Sequence, residues 1–281
     1  LSRREELIVN SPCSVLILTL NEEINIRGCL RSVDWCDDVV VLDSYSEDVT
    51  VKLCEEAGSR VVKRRFDNWS NHQNWAMKNI SFAHDWVLYI DADERCTQEL
   101  QEEIFEVLDQ AAEKAAFRVR RKDFFGGRWL KHAQLYPTWL IRLFRPERVR
   151  YERLVNPVTV VDGEVGFLEG HLHHYPFSHG IAHWIERHNR YSGLEARETF
   201  QTLSGSSNSL PKVFHSDPNV RRQALKELFA KVPARPLLKF FYYFVVRKGF
   251  LDGHVGITYC FLQAIYEYFI VLKVRELKGK Y

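Results

Sequence analysis

Two carboxylates one residue apart carry the strongest chemical signal in this chain: Asp91 and Asp93, in Tyr89-Ile90-Asp91-Ala92-Asp93-Glu94. They follow Trp86-Val87-Leu88-Tyr89-Ile90, an apolar run that reads as a buried strand. Carboxylates spaced this way at a strand end can both reach one divalent cation. Hard oxygen ligands suit Mg2+ or Mn2+, with phosphate oxygens and water filling the other positions, and such an ion neutralises a departing diphosphate. The competing reading is a helix N-terminus rich in acids, which the helix dipole favours.

These residues need a scaffold, and the first 110 residues supply one. Ser14–Leu20 is a continuous apolar run, followed by Asn21-Glu22-Glu23 and an amphipathic helix marked by Ile26, Cys29, Leu30 and Val33. Asp38–Leu42 is a second buried strand, closed by the turn cluster Asp43-Ser44-Tyr45-Ser46-Glu47-Asp48 before a helix near Thr50. Arg60–Val62 is a third strand, residues 70–80 a helix, and Leu100, Ile104, Leu108 and Ala111 mark another helix after the fourth strand. Strand and helix alternate, so a parallel sheet with right-handed crossovers is the economical α/β fold. Ligands then bind at the carboxyl ends of the strands, where Asn21, Asp43 and Asp91 stand. Past residue 115 the rhythm changes to shorter strands at 117–121, 139–144, 158–161 and 171–175, then a long helix at 180–203.

The strand-end clusters Thr19-Leu20-Asn21-Glu22-Glu23 and Asp43–Asp48, together with the D-x-D, resemble the family-2 glycosyltransferases and their GT-A nucleotide-diphospho-sugar fold. The resemblance covers most of the chain. Gln73-Asn74-Trp75-Ala76, Leu140–Arg145, His174-Tyr175, Asn189–Ser192 and the segments 237–241 and 249–253 are similar to a bacterial branch that builds lipopolysaccharide core or other surface glycans. The resemblance implies roles residue by residue. Thr19, Asn21 and Glu22 line the nucleotide pocket, and Asp43 accepts a hydrogen bond from the base. Gln73 and Asn74 reach toward base and phosphate. Asp91 faces ribose and metal-bound water, Asp93 binds the metal, and His174 is a further metal or diphosphate ligand. A plain helix cap is the alternative for Asp43.

Inverting transfer needs a base to take the acceptor hydroxyl proton. Relatives place a His-Glu pair where this chain reads Leu154-Val155-Asn156-Pro157, so the pair is missing. Glu152 is the first candidate to replace it and Glu169 the second; the alternative for each is a surface carboxylate paired with an Arg. His171, His173, His179, His183 and His188 read as structural or surface histidines, since His179 and His183 have zinc spacing without the Glu between them. Arg118, Arg120, Arg121, Lys122, Arg128 and Lys131 surround Phe124-Phe125-Gly126-Gly127 and Trp129. This mixture suits an acceptor groove in which Trp129 or Tyr136 stacks on a sugar, with Arg142 also assigned to the acceptor. It could equally grip single-stranded nucleic acid, but no nucleic-acid motif accompanies it.

Net charge separates the tail from the body. The total is +2, yet residues 211–281 hold 13 basic and 5 acidic side chains, a balance of +8, which leaves residues 1–210 at −6. The domains expected are a catalytic one at 1–203, a Ser/Gly/Asn joint at 204–211 and a helical, basic, aromatic region at 212–281. Val255–Val274 is about long enough to span a bilayer, but Gln263 and Glu267 interrupt it. An interfacial or protein-packed helix pair on an anionic membrane is therefore expected, with a soluble subdomain or an oligomer interface as the alternative. Six cysteines without a C-x-x-C pair read as reduced thiols, and no signal peptide is read at the start. The expectation is an inverting, metal-dependent glycosyltransferase at the cytoplasmic face of a bacterial inner membrane. It would use a UDP-linked sugar and a glycolipid or polysaccharide-precursor acceptor. Its rivals are a membrane-attached carbohydrate-binding scaffold that lost its base, and a sugar-nucleotide nucleotidyltransferase. A Rossmann dehydrogenase is excluded by the lack of G-x-G-x-x-G.

Overall fold

The computed structural model describes residues 11–109, 111–134, 136–152, 158–205, 221, 232 and 234–279. Contacts divide the chain into two units, one running to Phe124 and from Tyr136 to Ser178, the other taking Phe125–Leu135 and the chain from His179 onward.

The first unit is built around β1 (Ser14–Thr19), buried at every position. Alternate residues of a strand point to opposite faces. Val15 and Ile17 accordingly join one apolar cluster, while Leu16 and Leu18 join another. A strand covered on both faces needs apolar residues throughout, which is why the run is continuous rather than alternating. Helix α1 (Glu23–Ser32) follows, then β2 (Val39–Asp43), α2 (Thr50–Glu56), β3 (Arg60–Lys63), α3 (Trp69–Asn79) and β4 (Val87–Asp91). β1, β2, β3 and β4 pair in parallel. Helices α1 and α2 supply Ile26, Cys29, Leu30, Leu53 and Cys54 to the first cluster, whereas α3 supplies Ala76 to the second.

After β4 come β5 (Glu94–Cys96), α4 (Gln98–Leu108), β6 (Lys114–Phe125), β7 (Arg128–Trp129), β8 (Thr138–Phe144), β9 (Val149–Glu152), β10 (Val158–Val161) and β11 (Glu164–His174). The sheet runs in the order β3-β2-β1-β4-β8-β6-β11-β5, and β9 and β10 form a separate antiparallel pair. The expected α/β architecture, mainly parallel and flanked by helices with a C-terminal helical extension, is thus present. Strands β5, β7 and β9 were not anticipated: at two to four residues each they are too short for a periodicity to register. Strand β11 begins seven residues earlier than expected because Gly166 and Gly170 weaken its apolar pattern. Gly170 is needed there, since a Cβ at that position would lie 2.5 Å from Leu100 Cα on α4.

The second unit contains α5 (Gly180–Gly205), α6 (Arg235–Phe241), a π-helical turn at Tyr242–Val246, a 3-10 turn at Gly249–Asp252 and α7 (Gly253–Leu277). Helix α5 packs on α7, contacts group the chain from His179 onward into the second unit, and the first two residues of the expected joint, 204 and 205, end α5. Residues 206–211 of that joint lie outside the described residues. Glu267, expected to interrupt a membrane span, is buried on α7 and paired with Arg235 and, at 3.2 Å, Lys239. Lys273 Nζ donates to Asn189 Oδ1 at 2.7 Å and Ser192 Oγ at 2.8 Å. Gly249–Leu277 is long and apolar enough to cross a membrane by composition. Glu267 and Lys273 nevertheless find protein partners within this unit, while His254, Thr258, Arg275 and Glu276 are exposed. All six cysteines are free and buried.

Candidate active site

The carboxyl ends of β1 and β2 are stapled to each other. Thr19 Oγ1 donates to Asp43 Oδ1 at 3.0 Å, and Asp43 Oδ2 accepts the Ser46 N–H at 2.8 Å. Asn21 Oδ1 accepts from the Glu47 N–H at 2.8 Å, and its own N–H donates to Ser46 Oγ at 2.8 Å. The Glu22 N–H donates to Thr50 Oγ1 at 2.8 Å, and Glu22 Oε2 accepts from Asn25 Nδ2 at 2.7 Å. Asp43 is fully buried and anchors the turn at residues 43–46; the helix that begins at Thr50 has Val49 as its N-cap, so Asp43 does not cap it. Gln73 and Asn74 are likewise turned to internal tasks. Gln73 Nε2 donates to Tyr89 Oη at 3.2 Å. Asn74 pairs with both backbone groups of Tyr151, donating to its C=O and accepting from its N–H at 2.8 Å each, as a neighbouring strand would.

At the end of β4 the D-x-D sits in a network of charges. Asp91 Oδ1 accepts from Tyr89 Oη at 2.7 Å, and Oδ2 accepts from Arg142 Nη2 at 2.6 Å. Arg142 also donates to Glu94 Oε1 at 2.8 Å, and its guanidinium lies 4.4 Å from the Tyr89 ring centroid. Arg142 was assigned to the acceptor; the structure buries it against Asp91 and Glu94 instead. A local irregularity explains the placement. Leu143 pairs with Phe117 and Ile141 with Arg118, so Arg142 is the extra residue of a β-bulge, a feature that re-aims side chains beside sites.

His174 closes the other side. Register places it opposite Asp123 on β6 and opposite Glu94 on β5. Its Nε2 lies 3.3 Å from Asp93 Oδ2 and its Nδ1 bonds Asp123 Oδ1, while Arg121 Nε reaches Asp123 at 3.2 Å. Burial works against a charge on His174, but Asp93 and Asp123 outweigh it and push its pKa up to about 9. Both ring nitrogens therefore donate at neutral pH. Burial pushes the Glu94 carboxyl upward, and Arg142 opposes that shift.

The four carboxylates divide by exposure. The side chains of Glu94 and Asp123 are 0% and 2% exposed, whereas Asp91 and Asp93 keep 31% and 17% open. The two open ones face outward with buried charges behind them. Among the described residues no group of three or more His, Cys, Asp or Glu side chains is arranged to hold a metal ion. The donor set still suits Mg2+ or Mn2+, which are commonly held by one or two carboxylates with substrate phosphates and waters completing the shell. Sequence reasoning gave no role to Tyr89, Glu94, Asp123 and Tyr151, and it placed Arg121 among the acceptor-groove bases rather than beside Asp123. Two had a signal: Tyr89 shares a strand face with Asp91, and Asp123 is a lone acid in a basic run.

Neither base candidate joins this group. Tyr151 on β9 is buried, so alternation turns Glu152 to the opposite, exposed face, where Arg150 Nε holds it at 3.0 Å. Glu169 pairs with Arg120 at 2.7 Å. Both are ion-paired in the structure. Leu154–Pro157, which replaces the expected His-Glu pair, lies outside the described residues. Tyr136 Oη bonds His171 Nε2 at 2.8 Å in the first unit. Trp129 belongs to the second unit, with Lys131 Nζ 5.7 Å from its ring centroid.

Residues 14–168 match the family model described as glycosyl transferase family 2. A lipopolysaccharide core biosynthesis glycosyltransferase of Rhizobium meliloti is 28% identical over 267 residues, 92% of each chain. An uncharacterized glycosyltransferase of Rickettsia typhi is 25% identical over 280 residues, covering 95% of this chain and 88% of the relative. Among solved structures, a mannosyltransferase from Pyrobaculum calidifontis in complex with GDP-Man and Mn2+ is 14% identical with a TM-score of 0.48, covering 96% of this chain and 88% of its own.

Proposed function

The chain belongs to glycosyl transferase family 2, and from that premise we propose that it is an inverting enzyme that moves a sugar from a UDP-linked donor to a glycolipid or polysaccharide precursor. The observation that carries this reading is the pair of partly exposed carboxylates, Asp91 and Asp93, at and just past the carboxyl end of β4. They are backed by Arg142, Glu94, His174 and Asp123. Asp91 and Asp93 would hold Mg2+ or Mn2+, which supplies charge neutralisation to a departing diphosphate; His174, expected as a further ligand, would have to give up its Nε2 proton to join them. Arg142 and His174 keep the two carboxylates from repelling each other while nothing is bound, and fix where they point. The lipopolysaccharide-core relative supports a surface-glycan acceptor.

The second unit supports a place on the membrane. Leu237, Phe241, Val246 and Leu251 are each more than half exposed, and Arg247 and Lys248 stand among them. Apolar side chains dipping into the headgroup region beside cations describe a peripheral, anionic-surface contact at the cytoplasmic face. Flotation of the full chain with anionic liposomes tests it: binding that resists removal of anionic lipid, or no binding, refutes the electrostatic reading.

The central test is hydrolysis and transfer with a panel of nucleotide sugars, with and without Mn2+, on wild type and Asp93→Ala. The expected outcome is metal-dependent turnover of a UDP-sugar that falls at least about a hundredfold in the variant. Undiminished turnover in Asp93→Ala refutes the assignment, and turnover releasing pyrophosphate from a nucleoside triphosphate would favour the nucleotidyltransferase instead.

A further inference from the structure

Tyr45 stands in the turn after β2 with φ = 65°. A residue with a Cβ is disfavoured there, and Gly or Asn adopts this conformation more readily. The turn imposes it. Asp43 grips the Ser46 N–H from one side, Asn21 grips the Glu47 N–H from the other, and Thr19 anchors Asp43 from β1. A sparsely populated backbone conformation held this firmly is characteristic of ligand sites.

The ring gains little from the fold in return. It is 49% exposed, and the Arg65 guanidinium lies 5.3 Å from its centroid. Backbone preference argues for another residue, and packing does not argue for this one. What distinguishes the position is its place at the carboxyl edge of β2, the edge where open α/β sheets bind ligands. Phe66 and Trp69, in the segment that follows β3, expose further aromatic surface at that edge.

We propose that Tyr45 is a stacking platform for the base of the nucleotide donor, with Arg65 beside the ring. The inference rests on the donor reading above. Every nucleobase has a π-face, so the platform adds affinity without choosing the base. This assignment also explains why a buried Asp43 need not touch the ligand: it shapes the turn that presents the ring.

The test is calorimetric titration of the full chain with UDP, GDP and inorganic pyrophosphate in Mg2+, for wild type, Tyr45→Phe and Tyr45→Gly. The expected result for Tyr45→Gly is about a tenfold rise in Kd for both UDP and GDP, with pyrophosphate unchanged and Tyr45→Phe like wild type. Its melting temperature should hold or rise by up to about 3 °C, because a strained conformation is relieved. That divergence of affinity and stability is what a structural role would not produce. UDP affinity within about twofold of wild type in Tyr45→Gly overturns the inference, as does an equal loss of pyrophosphate affinity. So does a melting temperature lowered by more than about 3 °C, which would mark the ring as packing. Wild-type binding of UDP or GDP that Tyr45→Gly leaves unchanged overturns this inference alone, whereas a wild-type protein that binds pyrophosphate but no nucleoside diphosphate overturns the nucleotide-donor reading with it. One that binds neither overturns the donor reading as well.

Discussion

Arg142→Met asks whether the charges behind the site hold it together. The substitution keeps a long side chain but removes the guanidinium that bonds Asp91 at 2.6 Å and Glu94 at 2.8 Å. Glu94 is fully buried and is left with Arg121 at 3.5 Å and the Asp91 N–H at 3.1 Å. Hydrogen bonds to charged groups contribute about 1.5–3 kcal/mol each, so two such bonds give about 3–6 kcal/mol. Breaking a buried ion pair from one side costs about 3–5 kcal/mol, which agrees. For a chain of this size that corresponds to a melting temperature lower by roughly 6–15 °C. Urea denaturation with a parallel thermal scan measures both quantities. Glu94→Gln should destabilise the wild type yet rescue part of the loss in Arg142→Met, because it removes the uncompensated buried charge. The pH dependence has a definite sign. Without Arg142, burial holds the folded-state pKa of Glu94 further above its unfolded value, so the folded state binds the extra proton. Stability of the variant is then lost as pH rises through that pKa, and the gap to wild type narrows on acidification. A loss below about 1 kcal/mol, or a Glu94→Gln cost that is the same in both backgrounds, refutes the reasoning.

Three further outcomes are expected. Glu152→Gln should keep turnover within about threefold of wild type, since the side chain is exposed and paired with Arg150; abolished turnover would restore it as the base. His72 is buried beside Arg64, and burial first, then that cation, depress its pKa to about 4. The unfolded chain therefore takes up this proton first, and stability falls as pH drops from about 6.5 to about 4. His72→Gln should show a shallower fall over that window in urea titrations, and an unchanged slope refutes the assignment. Gly170→Ala should cost about 1–3 kcal/mol, because its Cβ would press on the Leu100 backbone; a melting temperature equal to wild type would show that β11 and α4 can part freely.

Much of the fold was legible because its signals are local. A strand covered on both faces must be apolar throughout, so the runs at 14–19, 39–42 and 87–90 declared themselves, and helical periodicity did the same for α1 and α4. Strand ends are where chain direction and ligand binding coincide, so Asp91 and Asp93 could be picked out from spacing alone. The tail was harder. Length and apolarity describe a membrane span and a packed helix equally well, and no local pattern foretells that Glu267 pairs with Arg235, 32 residues away.

The sequence by itself thus determined the β-α order, the strand-end positions and the carboxylate pair, since each depends on neighbours within a few residues. Only the tertiary structure decided what surrounds that pair. Arg142 is 51 residues from Asp91, and Asp123 is 51 residues from His174. Sheet order and a bulge in β8 brought them together. The same packing turned Asp43, Gln73 and Asn74 inward. The physical reason is that buried charges and polar groups must find partners wherever the sheet places them, and no local pattern records which distant residue will be there.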